Sequence, residues 1–132
     1  MKAVDTKVLA RFLVGDDDRQ AKKIYNIFKR AEADKEEFLV PLLVVLELLW
    51  VLESVYEVPR QEILSSINEL ALMPILNFES RAAIQQFLLS AKDNKFDLSD
   101  LLIAYSAKIS GCEKILTFDR RASKFELFDL IK

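Results

Sequence analysis

The chain has 132 residues, of which 52% are hydrophobic, and a net charge of −2 at pH 7. This length fits one domain, residues 1–132, with a core that buries about two thirds of the unfolded surface. Only two glycines and three prolines are present, which excludes collagen-like and low-complexity chains. The net charge gives no global attraction to nucleic acid, so any such binding must depend on local basic patches.

The absence of histidine excludes several kinds of active site. It removes Ser-His-Asp and Cys-His arrangements, the usual zinc sites, and nucleases that use paired histidines. The single cysteine, Cys112, permits no internal disulfide, as expected in a reducing compartment. No apolar run reaches the ~20 residues of a membrane span, and the first residues lack the apolar core of a signal peptide. We therefore expect a cytoplasmic protein with no membrane segment.

The N-terminal part predicts a strand, a turn and two helices. An extended segment at residues 2–4 precedes Asp5 and Thr6, which suit the start of a helix that ends at Gly15. The acidic triplet at residues 16–18 then precedes a second helix. Its negative charges either interact favourably with the helix dipole at the N-terminus or bind a metal. The residues predicted on the apolar face of that helix are Ala21, Ile24, Tyr25, Ile27 and Phe28.

An apolar run at residues 39–52 contains one charged side chain, Glu47. We expect a second strand at residues 38–40, followed by a helix that Pro41 opens and that extends to about Tyr56. A carboxylate among buried side chains costs several kcal/mol unless it is protonated, paired or bound to a cation. Either a functional partner of Glu47 offsets this cost, or Glu47 lies at the polar margin of the helix and its carboxylate reaches water.

The second half of the chain predicts three helices and three strands. Helices are expected at residues 60–72, 80–91 and from 98 to near Gly111, and strands at 74–78, 114–117 and 125–130. Asp97 can cap the third of these helices, with Asp100 in its first turn and Phe96 packed on Leu101 as a hydrophobic staple. Asp119 lies at the carboxyl end of the strand at residues 114–117.

Alternating short strands and helices predict the α/β class. We expect a three-layer α/β/α sandwich with a short central parallel sheet of four to five strands. Ligands bind beyond the carboxyl ends of such strands, where Asp5, Glu47, Asp100 and Asp119 could converge on one pocket. Two carboxylates ~4 Å apart repel by about 4 kcal/mol at an effective dielectric of 20, so the cluster needs a cation or protons. Oxygen ligands favour Mg²⁺, with Mn²⁺ as the alternative, and suit phosphodiester hydrolysis.

The acidic motifs in chain order resemble those of a known family. They are Asp5-Thr6-Lys7-Val8-Leu9, the segment from Leu46 to Glu53, the segment from Phe96 to Ala104, and Thr117-Phe118-Asp119. Together they resemble the PIN-domain ribonucleases, and in particular the VapC toxins of prokaryotic toxin-antitoxin pairs, over nearly the whole chain. The resemblance implies a PIN-like fold, Mg²⁺-dependent endonucleolytic RNA cleavage, a homodimer, and inhibition by a cognate VapB-type antitoxin.

The resemblance also assigns residues. Asp5, Glu47, Asp100 and Asp119 match the acids of the family's metal site, and Asp97 matches a frequent acid that is a further candidate ligand. On this interpretation Asp5, Asp100 and Asp119 hold the metal, and Glu47 orients or deprotonates the attacking water. The supporting hydroxyls are Thr6 and Thr117, and the candidate phosphate contacts are Lys7, Arg11, Arg120 and Arg121. The family commonly has asparagine after Asp-Thr, where this chain has Lys7. This departure concerns a local hydrogen bond of the asparagine and does not affect the metal site.

Two alternatives remain at this point. A receiver-like phosphorylation domain also gathers acids around Mg²⁺, but its paired acids follow the first strand, whereas the acidic triplet here follows a helix. A noncatalytic interaction protein with the PIN fold is the second alternative. The presence of all four matching acids argues against it.

Overall fold

A computed structural model describes all 132 residues and divides the chain into two compact units. Unit 1 comprises Met1–Glu79 and unit 2 comprises Ser80–Lys132. The expectation that residues 1–132 act as a single domain stays a prediction. No helix is long and apolar enough to cross a membrane.

Unit 1 contains a parallel three-stranded sheet and four helices. Its elements in chain order are β1 (Lys2–Ala3), α1 (Thr6–Val14), α2 (Asp18–Asp34), β2 (Phe38–Val40), α3 (Leu42–Ser54), α4 (Arg60–Ala71) and β3 (Leu76–Phe78). β2 is central, with Ala3 opposite Leu39 on one side and Val40 opposite Phe78 on the other. The strands are parallel because a pair of helices joins each strand to the next. Their carboxyl ends therefore lie at the same edge of the sheet.

The core of unit 1 consists of aliphatic side chains from α1, α3, α4 and the strands. Leu9, Leu48, Ile63 and Leu76 are almost fully buried. Leu42 begins α3 immediately after Pro41, which offers no side-chain cap. The carboxylate of Glu79, just beyond β3, supplies this cap instead, since its Oε1 accepts a hydrogen bond of 2.7 Å from the backbone N–H of Leu42. No sequence pattern indicated this contact between residues 37 positions apart.

Unit 2 contains two helices that pack on each other and a parallel pair of strands. Its elements are α5 (Arg81–Ala91), α6 (Leu98–Ile109), β4 (Ile115–Thr117), a 3-10 turn (Ala122–Lys124) and β5 (Phe128–Leu130). β4 and β5 pair from Ile115 opposite Phe128 to Thr117 opposite Leu130. Gly111 follows α6 with a φ of +96°, a conformation that glycine adopts at little cost. The predicted α/β class with parallel strands is confirmed, and the strands form one sheet in each unit.

Two details of the prediction were wrong. Tyr25 and Ile27 were placed on the apolar face of α2, but they are 54% and 55% exposed. The buried face is Ile24, Phe28 and Ala31, because these positions recur at the helical spacing of three or four residues, whereas Tyr25 and Ile27 lie on its flanks. The last strand is also shorter than residues 125–130, because Phe125 ends the 3-10 turn before β5 begins.

Candidate active site

Asp5 lies between β1 and α1 and caps the helix. Its backbone is extended (φ −100°, ψ 178°), and its Oδ1 accepts a hydrogen bond of 3.1 Å from the N–H of Val8. The side chain satisfies one of the N–H groups that the first turn of a helix leaves without a partner. Its second oxygen takes part in no hydrogen bond, and the residue is exposed. The cap thus fixes the carboxylate while leaving one oxygen open to solvent.

Thr6 and Glu47 form a contact between α1 and α3 in unit 1. Thr6 is 7% exposed, and its hydroxyl donates a hydrogen bond to Oε1 of Glu47. Thr6 is thus a polar partner of the one charged side chain in the apolar run at residues 39–52. The two side chains are 41 residues apart in sequence, so only the packing of α1 on α3 brings them together.

Of the two alternatives for Glu47, the structure confirms the one in which the side chain reaches water. Glu47 is exposed, as are its neighbours on the same face of α3, Leu43 at 77% and Trp50 at 59%. The spacing of these residues by four and three positions places them on one side of the helix, and the opposite side, with Val45 and Leu52, is buried. The carboxylate therefore reaches water, and it avoids the desolvation cost that a buried carboxylate would carry.

Asp97 and Asp100 lie at the start of α6 in unit 2. Oδ1 of Asp97 accepts a hydrogen bond of 3.1 Å from the N–H of Asp100, which confirms the predicted helix cap. Phe96, which precedes the cap, packs against Phe125 in a tilted arrangement with a ring-centroid distance of 5.1 Å. Asp97 is exposed, whereas Asp100 is partly buried in the first helical turn.

Asp119 follows β4 and closes a tight turn. Its Oδ1 accepts hydrogen bonds from the backbone N–H groups of Arg121, at 2.8 Å, and Ala122, at 3.1 Å. Its own N–H donates to Oγ1 of Thr117 at 3.0 Å. Thr117 therefore holds the backbone of Asp119, which gives the predicted supporting hydroxyl a definite partner.

Two acids of unit 2 act electrostatically on a third, Asp100. Burial raises the pKa of Asp100 above its ordinary value, and the negative charges of Asp97 and Asp119 raise it further. Asp97 and Asp119 thus lie near enough to Asp100 for their charges to disfavour its ionisation. In neither unit, however, are three acidic or cysteine side chains grouped closely enough to hold a metal ion. Convergence of Asp5, Glu47, Asp100 and Asp119 on one pocket stays a prediction.

The predicted phosphate contacts fall into two classes. Lys7, Arg120 and Arg121 are exposed, and none of them forms an ion pair. Arg11 instead bonds within unit 1, since Nη1 lies 3.1 Å from Oδ2 of Asp16 and 2.6 Å from the hydroxyl of Tyr56. The charge of Asp16 raises the pKa of Arg11 above its ordinary value. The role of Arg11 as a phosphate contact stays a prediction.

The acidic triplet has structural partners. Asp17 caps α2 by accepting a hydrogen bond of 3.0 Å from the N–H of Gln20, and Asp18 lies in the first turn. Asp16 binds both Arg11 and the Tyr56 hydroxyl. The interpretation of this triplet as a helix N-terminus is confirmed. The sequence did not reveal the link to Tyr56, because that residue follows α3, 40 positions further along the chain.

Comparisons with known proteins identify the family of the chain. The model of the PIN domain family matches residues 2–127. A protein named VapC ribonuclease, from Aquifex aeolicus (strain VF5), is 27% identical over 124 residues, covering 94% of this chain and 91% of the relative. No solved structure gives a significant match. Because the family match spans both units and includes Asp5, Glu47, Asp97, Asp100 and Asp119, the chain belongs to the PIN-domain family.

Proposed function

We propose that this protein is a VapC-type endoribonuclease that hydrolyses RNA phosphodiester bonds with Asp5, Glu47, Asp100 and Asp119 as its catalytic acids. Membership of the PIN-domain family supports a nuclease. The similarity to a VapC ribonuclease over 94% of the chain supports RNA as the substrate and a toxin role. Dependence on Mg²⁺ and the roles of individual residues are parts of the proposal.

The observation that carries the proposal is the PIN family match over residues 2–127, and the way in which several of the carboxylates are held supports it. In Asp5, Asp97 and Asp119, Oδ1 accepts hydrogen bonds from backbone N–H groups, and Oδ2 has no hydrogen bond. In Glu47 the hydroxyl of Thr6 holds Oε1, and Oε2 is similarly unbonded. One oxygen of each side chain is thus fixed by the fold while the other remains available. Such preorganisation is what a metal or substrate site requires.

These donors fit a hard divalent cation. All of them are carboxylate oxygens, and the chain contains no histidine, so Mg²⁺ suits the set and Mn²⁺ is the alternative. Asp5, Asp100 and Asp119 are the proposed ligands, with Asp97 as a further one. When bound, the cation would neutralise the acids, hold a phosphate oxygen and lower the pKa of water.

The remaining residues of the proposed site position the attacking water and the catalytic acids or bind the RNA phosphates. Glu47, steadied by Thr6, is proposed to orient the attacking water and accept its proton through the unbonded Oε2. Thr117 keeps Asp119 in place through the backbone. The exposed cations Lys7, Arg120 and Arg121 are proposed to contact phosphates, which offsets the repulsion between RNA and the acids.

The proposal includes two protein partners. The Aquifex relative is named VapC ribonuclease, and this name supports a VapB-type antitoxin as the cognate inhibitor. A homodimer and a cytoplasmic location follow from the same resemblance.

Cleavage of RNA by purified protein with added Mg²⁺ tests the proposal. Glu47→Gln should abolish cleavage, whereas Glu53→Gln should leave it unchanged, because Glu53 is an exposed acid on the same helix outside the proposed site. Both substitutions remove one negative charge, so the comparison isolates position from net charge. Cleavage that persists in Glu47→Gln, or after chelation of divalent cations, would refute the proposed mechanism. A wild-type protein that binds RNA without cutting it would favour the noncatalytic alternative.

A further inference from the structure

The outward face of α2 carries a cluster of cations that the proposed catalytic site does not use. We define it as the α2 ridge, formed by Arg19, Lys22, Lys23, Lys29 and Arg30. All five residues are exposed, and no Asp or Glu lies between Arg19 and Arg30. At 100° per residue they fall within a sector of about 120°, and the ridge extends for roughly 16 Å. The chain as a whole has a net charge of −2, so this helix face is a local concentration of positive charge.

The cations of the α2 ridge are not occupied by carboxylates. None of the five ridge residues takes part in an ion pair, unlike Arg11, which pairs with Asp16. Lys29 lies 5.7 Å from the ring centre of Tyr25 in a cation–π contact. A row of cations with no acid among them attracts a polyanion, and phosphates are the usual one.

The opposite face of α2 fixes the ridge in place. Ile24, Phe28 and Ala31 are buried in unit 1, and Phe28 packs against the rings of Phe12 and Phe38 at 5.0 and 5.9 Å. A basic amphipathic helix that binds a membrane must insert its apolar face into the lipid. Here that face is already covered by the protein, so the ridge fits a soluble polyanion better than a lipid surface.

Tyr25 adds an element that favours nucleic acid. Its side chain is 54% exposed and lies at the side of the ridge, next to Lys29. Cationic tracks with an exposed aromatic ring suit single-stranded nucleic acid, because phosphates follow the cations while a base stacks on the ring. A protein partner would be a poorer match, since lysine is depleted in the centre of protein interfaces and the ridge has no apolar centre.

We infer that the α2 ridge is an accessory site that binds the backbone of single-stranded RNA, with one base stacked on Tyr25. This inference rests on the proposed ribonuclease function, because it assigns the ridge to the same substrate. Contacts at the ridge would hold an RNA longer than the cleaved segment and would lower its KM without affecting kcat.

The test measures binding of a labelled single-stranded RNA at several salt concentrations. Asp119→Asn is included in every protein so that the RNA stays intact. In the ridge variant, Lys22, Lys23 and Arg30 are changed to Gln, a good helix former. The slope of log affinity against log salt should become shallower by about 2, because each phosphate contact to a single strand contributes about 0.7. A Tyr25→Leu variant should bind about tenfold more weakly at all salt concentrations.

A matched control separates the effect of losing the ridge cations from the effect of changing the net charge. Lys35, Lys92 and Lys132 are exposed cations outside the ridge, and changing all three to Gln removes the same total charge. The control should keep the salt dependence of RNA binding that the Asp119→Asn protein shows without further substitutions. An equal change in both triple variants, or no change in the ridge variant, would overturn the inference. Polyglutamate should displace the RNA poorly, and displacement as effective as that by unlabelled RNA would assign the ridge to an acidic protein instead.

Cleavage assays with otherwise unmodified protein distinguish the two proposals. If the wild type cleaves RNA and the ridge variant has an unchanged KM for long RNA, the ridge inference fails while the ribonuclease proposal stands. If the wild type binds RNA through the ridge and does not cleave it, the ribonuclease proposal fails and the ridge remains an RNA-binding site. The expected result is a raised KM for long RNA, with an unchanged kcat and unchanged cleavage of short RNA.

Discussion

Asp5 has a structural task that can be separated from its proposed metal-binding task. Its Oδ1 caps α1, and its Oδ2 is the oxygen proposed to bind Mg²⁺. Asp5→Asn keeps a capping oxygen but loses the charge, whereas Asp5→Ala loses both. Replacing a capping Asp by Ala costs about 1 kcal/mol. For 132 residues the entropy of unfolding is about 0.28 kcal/mol/K, so this loss lowers Tm by about 4 °C.

Asp17 supplies a matched control for this experiment. It caps α2 through the same kind of contact, at 3.0 Å, and lies outside the proposed site. Asp17→Ala should also lower Tm by about 4 °C, yet it should keep full RNA cleavage and the full response to Mg²⁺. Both Asp5 variants should lose cleavage.

Thermal unfolding with and without Mg²⁺ completes the assay. At a Mg²⁺ concentration about ten times Kd, binding stabilises the fold by about 1.4 kcal/mol, or roughly 5 °C in Tm. This gain should be present in the wild type and in Asp17→Ala, and it should be reduced in Asp5→Asn and Asp5→Ala. The reasoning is refuted if Asp5→Asn cleaves RNA at the wild-type rate and shows the wild-type Mg²⁺ shift.

Three further predictions concern other polar contacts. Thr6→Val should change stability by less than about 1 kcal/mol, because exposed Glu47 can bond to water, but it should lower kcat/KM for RNA; unchanged kinetics would contradict a positioning role. The pKa of Asp100 is raised above 3.8, so its ionisation destabilises the metal-free fold as the pH rises past that value. Asp100→Asn should therefore raise Tm more at pH 7 than at pH 4. An equal gain in Tm at the two pH values would contradict a raised pKa of Asp100. Tyr56→Phe removes two hydrogen bonds and should cost about 1 kcal/mol in urea unfolding, whereas Tyr25→Phe, whose ring is exposed, should cost nothing measurable.

The parts of the candidate site that sequence alone predicted are those with a local cause. Asp97 caps α6 because the backbone N–H that donates to its carboxylate belongs to Asp100, only three positions away. Gly15 ends α1 in the left-handed conformation for an equally local reason. The order of the acidic motifs along the chain also predicted the family, which the PIN family match confirms. The roles of the individual acids stay predictions.

The contacts that sequence did not reveal join residues far apart. The hydroxyl of Thr6 reaches Glu47 across 41 residues, and the carboxylate of Glu79 caps α3 across 37. The Arg11 contact with Tyr56 spans 45 residues. In each case either side chain has several suitable partners, and the packing of the helices selects one.

The sequence by itself determined the strand and helix order, the local caps by Asp5, Asp17 and Asp97, and the family. Helix periodicity and local capping depend on residues within about one turn. The sequence did not determine which face of α3 is buried. Nearly every position from Leu42 to Leu52 is apolar, so periodicity could not distinguish the core side from the side with Leu43, Glu47 and Trp50. Only the tertiary structure decided that Glu47 is exposed and held by Thr6, because burial depends on which helices pack against α3.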